Sequence, residues 1–186
     1  MYLSKSKYCQ AVQCPKMLWM DRNMPEKFDD SGMDESRFAV GNRVGELARE
    51  YFGDYAEIPY ARDKTEMIRE TGRLFQSGTA VICEASFSFK GKFCSVDILR
   101  VFDGCVEIVE VKSSSGDDDE TSDDVKEIYL HDMAYQYYVL ANCGLNVRSV
   151  SLMELNRTYV RHGDLDIQQL FTLTDFPPSL VCIRVS

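Results

Sequence analysis

The chain has 186 residues, enough for one domain of roughly 100–200 residues, and 45% of them are hydrophobic, so its core needs no metal or disulfide staple. Thirty acidic against 21 basic side chains leave a net charge of −9, which excludes gripping duplex DNA through a broad basic surface. No apolar run approaches the roughly 18–20 residues of a membrane span, no signal-peptide core opens the chain, and seven scattered cysteines form no disulfide framework; the expectation is a cytoplasmic domain with reduced thiols.

Residues 1–21 read as a short helix, capped by Ser4 or Ser6 and interrupted near Pro15. Residues 25–36, with Asp29-Asp30-Ser31-Gly32, read as a loop. From Gly41 the spacing of Val44, Leu47, Ala48, Tyr51 and Phe52 predicts an amphipathic helix, and 65–76 predicts another. Three strands follow over 79–89, 93–102 and 105–114. The last two are joined at Asp103-Gly104, a strong signal for a two-residue hairpin turn. An acidic loop over 116–124, a long helix to about 143 and a strand over 147–156 complete the order helix, three-strand meander, helix, strand. The last crossover can return its strand parallel to the third. The expected fold is α/β, a central mixed sheet flanked by helices.

Register carries the chemical reading. A two-residue turn at 103–104 pairs Phe102 with Cys105, and five steps inward Asp97 falls opposite Glu110 on one sheet face, with Lys112 two residues on. That face carries Leu99, Val101, Val106 and Ile108, and the other Val96, Ile98, Val109 and Val111, so both look covered. Two carboxylates facing each other at the edge of a core repel unless something positive intervenes. A divalent cation with hard oxygen ligands answers this, and a nearby lysine can orient its water. The alternatives are a shared proton or a salt bridge from Lys112 to both acids. A bulge would undo the register.

Ser95-Val96-Asp97, twelve intervening residues, then Glu110-Val111-Lys112 resembles the PD-(D/E)XK nuclease signature on the helix–βββ–helix–strand core of that restriction-endonuclease-like superfamily. Leu3-Ser4-Lys5-Ser6, Gln13-Cys14-Pro15-Lys16-Met17-Leu18-Trp19, Val44-Gly45-Glu46-Leu47-Ala48 and Tyr135-Gln136-Tyr137-Tyr138, in that order, resemble the RecB-like branch that includes the CRISPR-adaptation exonucleases. Together with Met153-Glu154-Leu155-Asn156 and Tyr159-Val160-Arg161, they also resemble an uncharacterised bacterial family of larger proteins with this module at the N-terminus. The resemblance implies a single domain over 1–186, the N-terminal module of a longer protein in that family. It implies a phosphodiesterase using Mg²⁺ or Mn²⁺ bound by Asp97, Glu110 and the main-chain carbonyl of Val111. Lys112 would be catalytic and Gln136 would line the site.

The sequence departs from that pattern in places. The branch places a metal-binding His four residues after a helical Gly; counted from Gly41, that position is Gly45, and Glu46 beside it is the candidate replacement, against its reading as a solvated helix glutamate. The branch's Tyr four residues after the Gln is Leu140 here, so Tyr137 or Tyr138 must serve, with Tyr138 the catalytic candidate. Cys14 matches the first cysteine of iron–sulfur members, but a four-iron cluster wants four thiolates and only Cys182 lies near the end, so no cluster is expected in this chain alone. Cys83, Cys94, Cys105 and Cys143 read as core. Glu84 is a candidate supporting residue. Lys5, Lys7, Lys16 and Arg22, with Tyr8 and Trp19, can guide a single strand or pack as an ordinary helix. The expected function is hydrolysis of DNA phosphodiesters at single strands or ends, with DNA and further domains or proteins as partners and no membrane. The rival is an inactive nuclease-fold module that binds a protein or nucleic acid.

Overall fold

The computed structural model describes residues 2–27, 35–113 and 127–179. The acidic run after Gly116 and Cys182 lie outside them. A two-residue strand β1 (Leu3–Ser4) leads into α1 (Lys5–Gln13), whose first turn is capped by Ser4 Oγ accepting from the Lys7 N–H at 3.3 Å. Cys14 is extended, and Pro15 opens α2 (Pro15–Asn23) at a position where its missing N–H costs nothing. The interruption expected near Pro15 is therefore a junction between two helices.

Then come α3 (Glu35–Arg49), β2 (Ala56–Glu57) and α4 (Lys64–Gln76), the last capped by Asp63 and burying Met67, Thr71 and Leu74 on one stripe. The meander is β3 (Val81–Phe89), β4 (Lys92–Phe102) and β5 (Cys105–Lys112). Helix α5 (Glu127–Asn142) leads to β6 (Val147–Leu155), followed by α6 (Ile167–Leu170) and β7 (Phe171–Phe176). Among the described residues the strands form one mixed sheet in the order β2-β3-β4-β5-β6-β7, with β1 beside β4. The meander is antiparallel and β6 runs parallel to β5, as the element order predicts. The added strands were not visible in the pattern: β1 and β2 are two residues long, and β7 alternates on an edge with little burial.

Helices cover both faces. Met67, Leu74, Met133, Tyr135, Val139 and Leu140 of α4 and α5 pack on Ile82, Leu99, Val106, Ile108, Val150 and Leu152. On the other face Val44 and Ala48 of α3 pack with Val81, Cys83, Ile98, Val109, Met153 and Phe171. One expectation fails here. Strand alternation puts Val96 on the face of Ile98, but it packs in the cluster of Leu99. The alternation breaks between the pairs Cys83–Ile98 and Ala85–Val96, where Glu84 adopts φ +57°, a conformation foreign to a regular strand. Cys83 and Cys94 are core as expected, whereas Cys105 is half-buried and Cys143 is exposed.

The β4–β5 turn has φ +48° at Asp103 and +73° at Gly104, positive at both central residues as a type I′ turn requires. A Cβ at Gly104 would meet open space, so the cost of Gly104→Ala is conformational alone. Urea unfolding should show that variant about 1 kcal/mol less stable with an unchanged m-value.

Candidate active site

The β4–β5 ladder runs from Phe102–Cys105 to Ile98–Val109, the register read from the sequence. One step further, Asp97 takes the place of a main-chain partner: its Oδ2 accepts the Val111 N–H at 2.8 Å. The carboxylate is thus wedged between the diverging strand ends, with Glu84 opposite it on β3. A cleft of about 440 Å³ opens at this point, lined by Gly41, Gly45, Glu46 and Arg49 of α3 and by Glu84, Asp97, Val111 and Lys112 of the sheet.

Behind the cleft lies a charged cluster. Glu110 is buried, 1% exposed, and both its oxygens are engaged. Lys112 Nζ donates to Oε1 at 2.5 Å, while Lys5 Nζ at 2.9 Å and Gln136 Nε2 at 2.6 Å donate to Oε2. Asp132, one turn before Gln136 on α5, accepts from Lys112 at 2.8 Å and from Gln136 at 3.0 Å. The Lys5 ammonium also stands 3.4 Å from Asp132 Oδ1 and 3.8 Å from Asp97 Oδ1. Three carboxylates therefore share two ammonium groups.

Their protonation follows from that imbalance. Burial, then the neighbouring Glu110, pushes the Asp97 carboxyl up to about 7. Burial and Glu110 raise Asp132 as well. Burial also opposes ionisation of Glu110, but Lys5 and Lys112 outweigh it and hold that carboxyl well below its usual range. For the two lysines burial favours the neutral amine, and the surrounding acids, Glu110 first, reverse this and keep both charged. Glu84 is raised by burial, with Arg49 the chief opposing influence.

The fold brings together Asp97, Glu110, Val111, Lys112 and Gln136. Glu84 and Glu46 line the same cleft, but Glu84 faces Arg49 at 3.4 Å, and Glu46, with 57% of its side chain exposed, pairs with Arg43 at 2.9 Å. Tyr138 is placed elsewhere: its ring packs edge-on against Phe89, 6.3 Å between centroids, with Lys92 over it, near the β3–β4 turn. Cys14 sits at the α1–α2 junction, half-buried. The N-terminal basic segment divides. Lys5 is half-buried and turned into the cluster, Lys7 pairs with Asp21 at 2.6 Å, and Tyr8 stacks on Tyr135, while Trp19 remains 53% exposed. Sequence reasoning missed Asp132 and the inward course of Lys5. Asp132 could have been found, because i and i+4 share a helix face and it precedes Gln136 by four. Nothing local in the sequence marks Lys5 as turned inward.

Among the described residues no three His, Cys, Asp or Glu side chains are grouped to hold a metal. The donors nearest to that role are the carboxylates of Asp97 and Glu110 and the Val111 carbonyl, hard oxygens suited to Mg²⁺ or Mn²⁺. Gln136 Oε1 beside them is buried without a hydrogen-bond donor among the described residues. The chemistry of this set fits a hard divalent ion, provided that Lys5 gives up its position between the two acids.

No family model matches the chain, and no curated protein does. Among solved structures, an alkaline exonuclease (LHK-Exo) from Laribacter hongkongensis is similar at 12% identity and a TM-score of 0.49, over 95% of this chain and 77% of that one. LHK-Exo in complex with dAMP is similar at 11% identity and a TM-score of 0.48, over 99% and 86%.

An acid whose pKa is raised on folding stabilises the fold below its ordinary value, here 3.8, and loses that contribution as the pH rises through about 7. Glu110 acts in the opposite sense, contributing above its ordinary value and losing this only in strong acid. In metal-free buffer the melting temperature should therefore fall between pH 5 and pH 8. Asp97→Asn should flatten most of that fall, with the remainder due to the other raised acids, Asp132 and Glu84. An equal slope in both proteins would contradict the assignment.

Proposed function

We propose that the chain is a metal-dependent nuclease of the PD-(D/E)XK type, hydrolysing DNA phosphodiester bonds at single strands or ends. The observation that carries this reading is the pair Asp97 and Glu110, within 3.8 Å of one shared ammonium at the end of the central hairpin, with Val111 and Lys112 beside them at a cleft. The ordered motifs around this pair support it, as does the helix–βββ–helix–strand core on which they lie. The RecB-like affinity rests on those motifs alone.

Asp97, Glu110 and the Val111 carbonyl would hold Mg²⁺ or Mn²⁺, which supplies a Lewis acid for the phosphate and a more acidic water. Lys112 keeps its proton beside Glu110 and Asp132, so it offers positive charge to a phosphate oxygen or orients the attacking water. Gln136 fixes the Glu110 carboxylate through Nε2 and leaves that acid's geometry independent of the cleft contents. Glu46, Glu84 and Arg49 stand on the cleft wall, where a ligand or substrate contact requires them to leave their present ion pairs. A cleft of about 440 Å³ suits a strand end better than the body of a duplex. That agrees with the −9 charge, which gives duplex DNA no basic bed.

One observation favours a second reading, an inactive nuclease-fold module that serves a partner. Lys5 already neutralises the acids that a metal would need. Labelled single- and double-stranded DNA incubated with Mn²⁺ separates the two. Cleavage by the native chain should fall by about 10²-fold or more in Lys112→Ala and in Asp97→Asn. The inactive module predicts no products and no rise in melting temperature with Mn²⁺.

Gly45 offers a test by addition. It lines the cleft, and a Cβ there would meet nothing within 4 Å. Gly45→His should gain up to about 1 kcal/mol from the better helix former and tighten Mn²⁺ binding, read as a larger thermal shift at a fixed metal concentration. An unchanged shift would show that the α3 wall does not face the ion.

A further inference from the structure

We propose that Lys5 is the resident cation of this site, its ammonium holding the place between Asp97, Glu110 and Asp132 that a divalent ion takes by displacing it. The inference rests on the metal-dependent reading above and adds how the site is controlled. Among the described residues, Lys5 is the cation in ion-pair contact with both Asp97 and Glu110; Lys112 reaches Glu110 and Asp132 only. A second positive charge cannot share those oxygens with it, because ligation at about 2.0–2.1 Å would set the ion against the ammonium.

The local structure suits an exchange by the side chain alone. The main chain next to Lys5 is pinned: Leu3 N–H donates to Gly91 O at 2.8 Å, Leu3 pairs with Lys92, and the Tyr135 hydroxyl donates to Leu3 O. The long lysine stem is the flexible part, and 19% of its side chain is already exposed, which gives it an exit. Replacing one positive charge by two balances three ionised carboxylates and the remaining Lys112. A released Lys5 would then stand beside the bound ion, where a phosphate arrives. The N-terminal segment thus stabilises the metal-free chain and sets the metal concentration at which the site fills.

Isothermal titration of Mn²⁺ into native protein and Lys5→Met reads the competition directly. Lys5→Met should bind at least about tenfold more tightly and melt at a lower temperature without metal, with the gap closing at saturation. Native chain, labelled with ¹⁵N at lysine Nζ and assigned with Lys5→Arg, gives a measurement that does not depend on the Met variant folding: the Lys5 resonance should shift or vanish as Mg²⁺ saturates. Equal Mn²⁺ affinities in the native chain and Lys5→Met, or an unmoved Nζ resonance in Mg²⁺-saturated native protein, would overturn the exchange and leave the nuclease reading standing. Binding by neither protein would remove both. Binding by Lys5→Met alone would overturn the displacement, since the native chain would then keep its ammonium against the metal.

Discussion

A fully buried glutamate at the end of a central strand is the constraint around which this chain is arranged. Glu110 stays ionised because α1 delivers Lys5, its own strand delivers Lys112, and α5 delivers Gln136. Removing one partner from such a buried ionic group costs about 3–5 kcal/mol, since a charge is left unanswered away from water. The cluster therefore does what an apolar contact does elsewhere: it fixes α1 against α5 and both against the hairpin. The neighbouring apolar contacts follow the same geometry, with Tyr8 stacked on Tyr135 at 4.9 Å between centroids.

The second constraint is the break in the hairpin. Regular pairing of Asp97 with Glu110 would satisfy both main chains and leave the two carboxylates to repel across the face. Instead the ladder stops at Ile98–Val109, Asp97 turns its carboxylate onto the Val111 N–H, and Glu84 across from it takes a left-handed conformation. A non-glycine residue in that region costs about 1–3 kcal/mol and persists where its surroundings hold it. Here they do so beside the cleft, and Arg49 reaches Glu84 and Glu57 together.

How much of this was legible in the sequence differs by level. The order of elements and the 103–104 turn follow from period and turn chemistry, which are local, and the register through Ile98–Val109 follows from the turn. Local rules also placed Asp97, Glu110 and Lys112 at one strand end. They failed where the outcome depends on distant partners. Val96 changes faces because Glu84, on another strand, breaks the alternation, and strand period alone carries no warning of that. Lys5 looks like any helix lysine until α5 is folded over it. Tyr138 answers only a pattern of spacing, and the helix turns it toward Phe89 beside the β3–β4 turn. The edge strand β7 was missed because only Phe171 of its six residues is buried, too little to leave a period.

A site built in this way ties stability to chemistry through the same charges. The acids that suit a hard cation are also the ones that attract lysines, and in a chain with nine more acidic than basic side chains an internal ammonium is the most readily available counter-charge. Any ion that enters must exceed what Lys5 already contributes, whereas a structural salt-bridge cluster would have no reason to leave Asp97 partly exposed, 28% of its side chain, at the floor of an open cleft. Burying that carboxylate with a third cation would have served the fold better. Its position at the boundary, short of positive charge and facing solvent, is what the proposed metal site rests on, against a purely structural cluster.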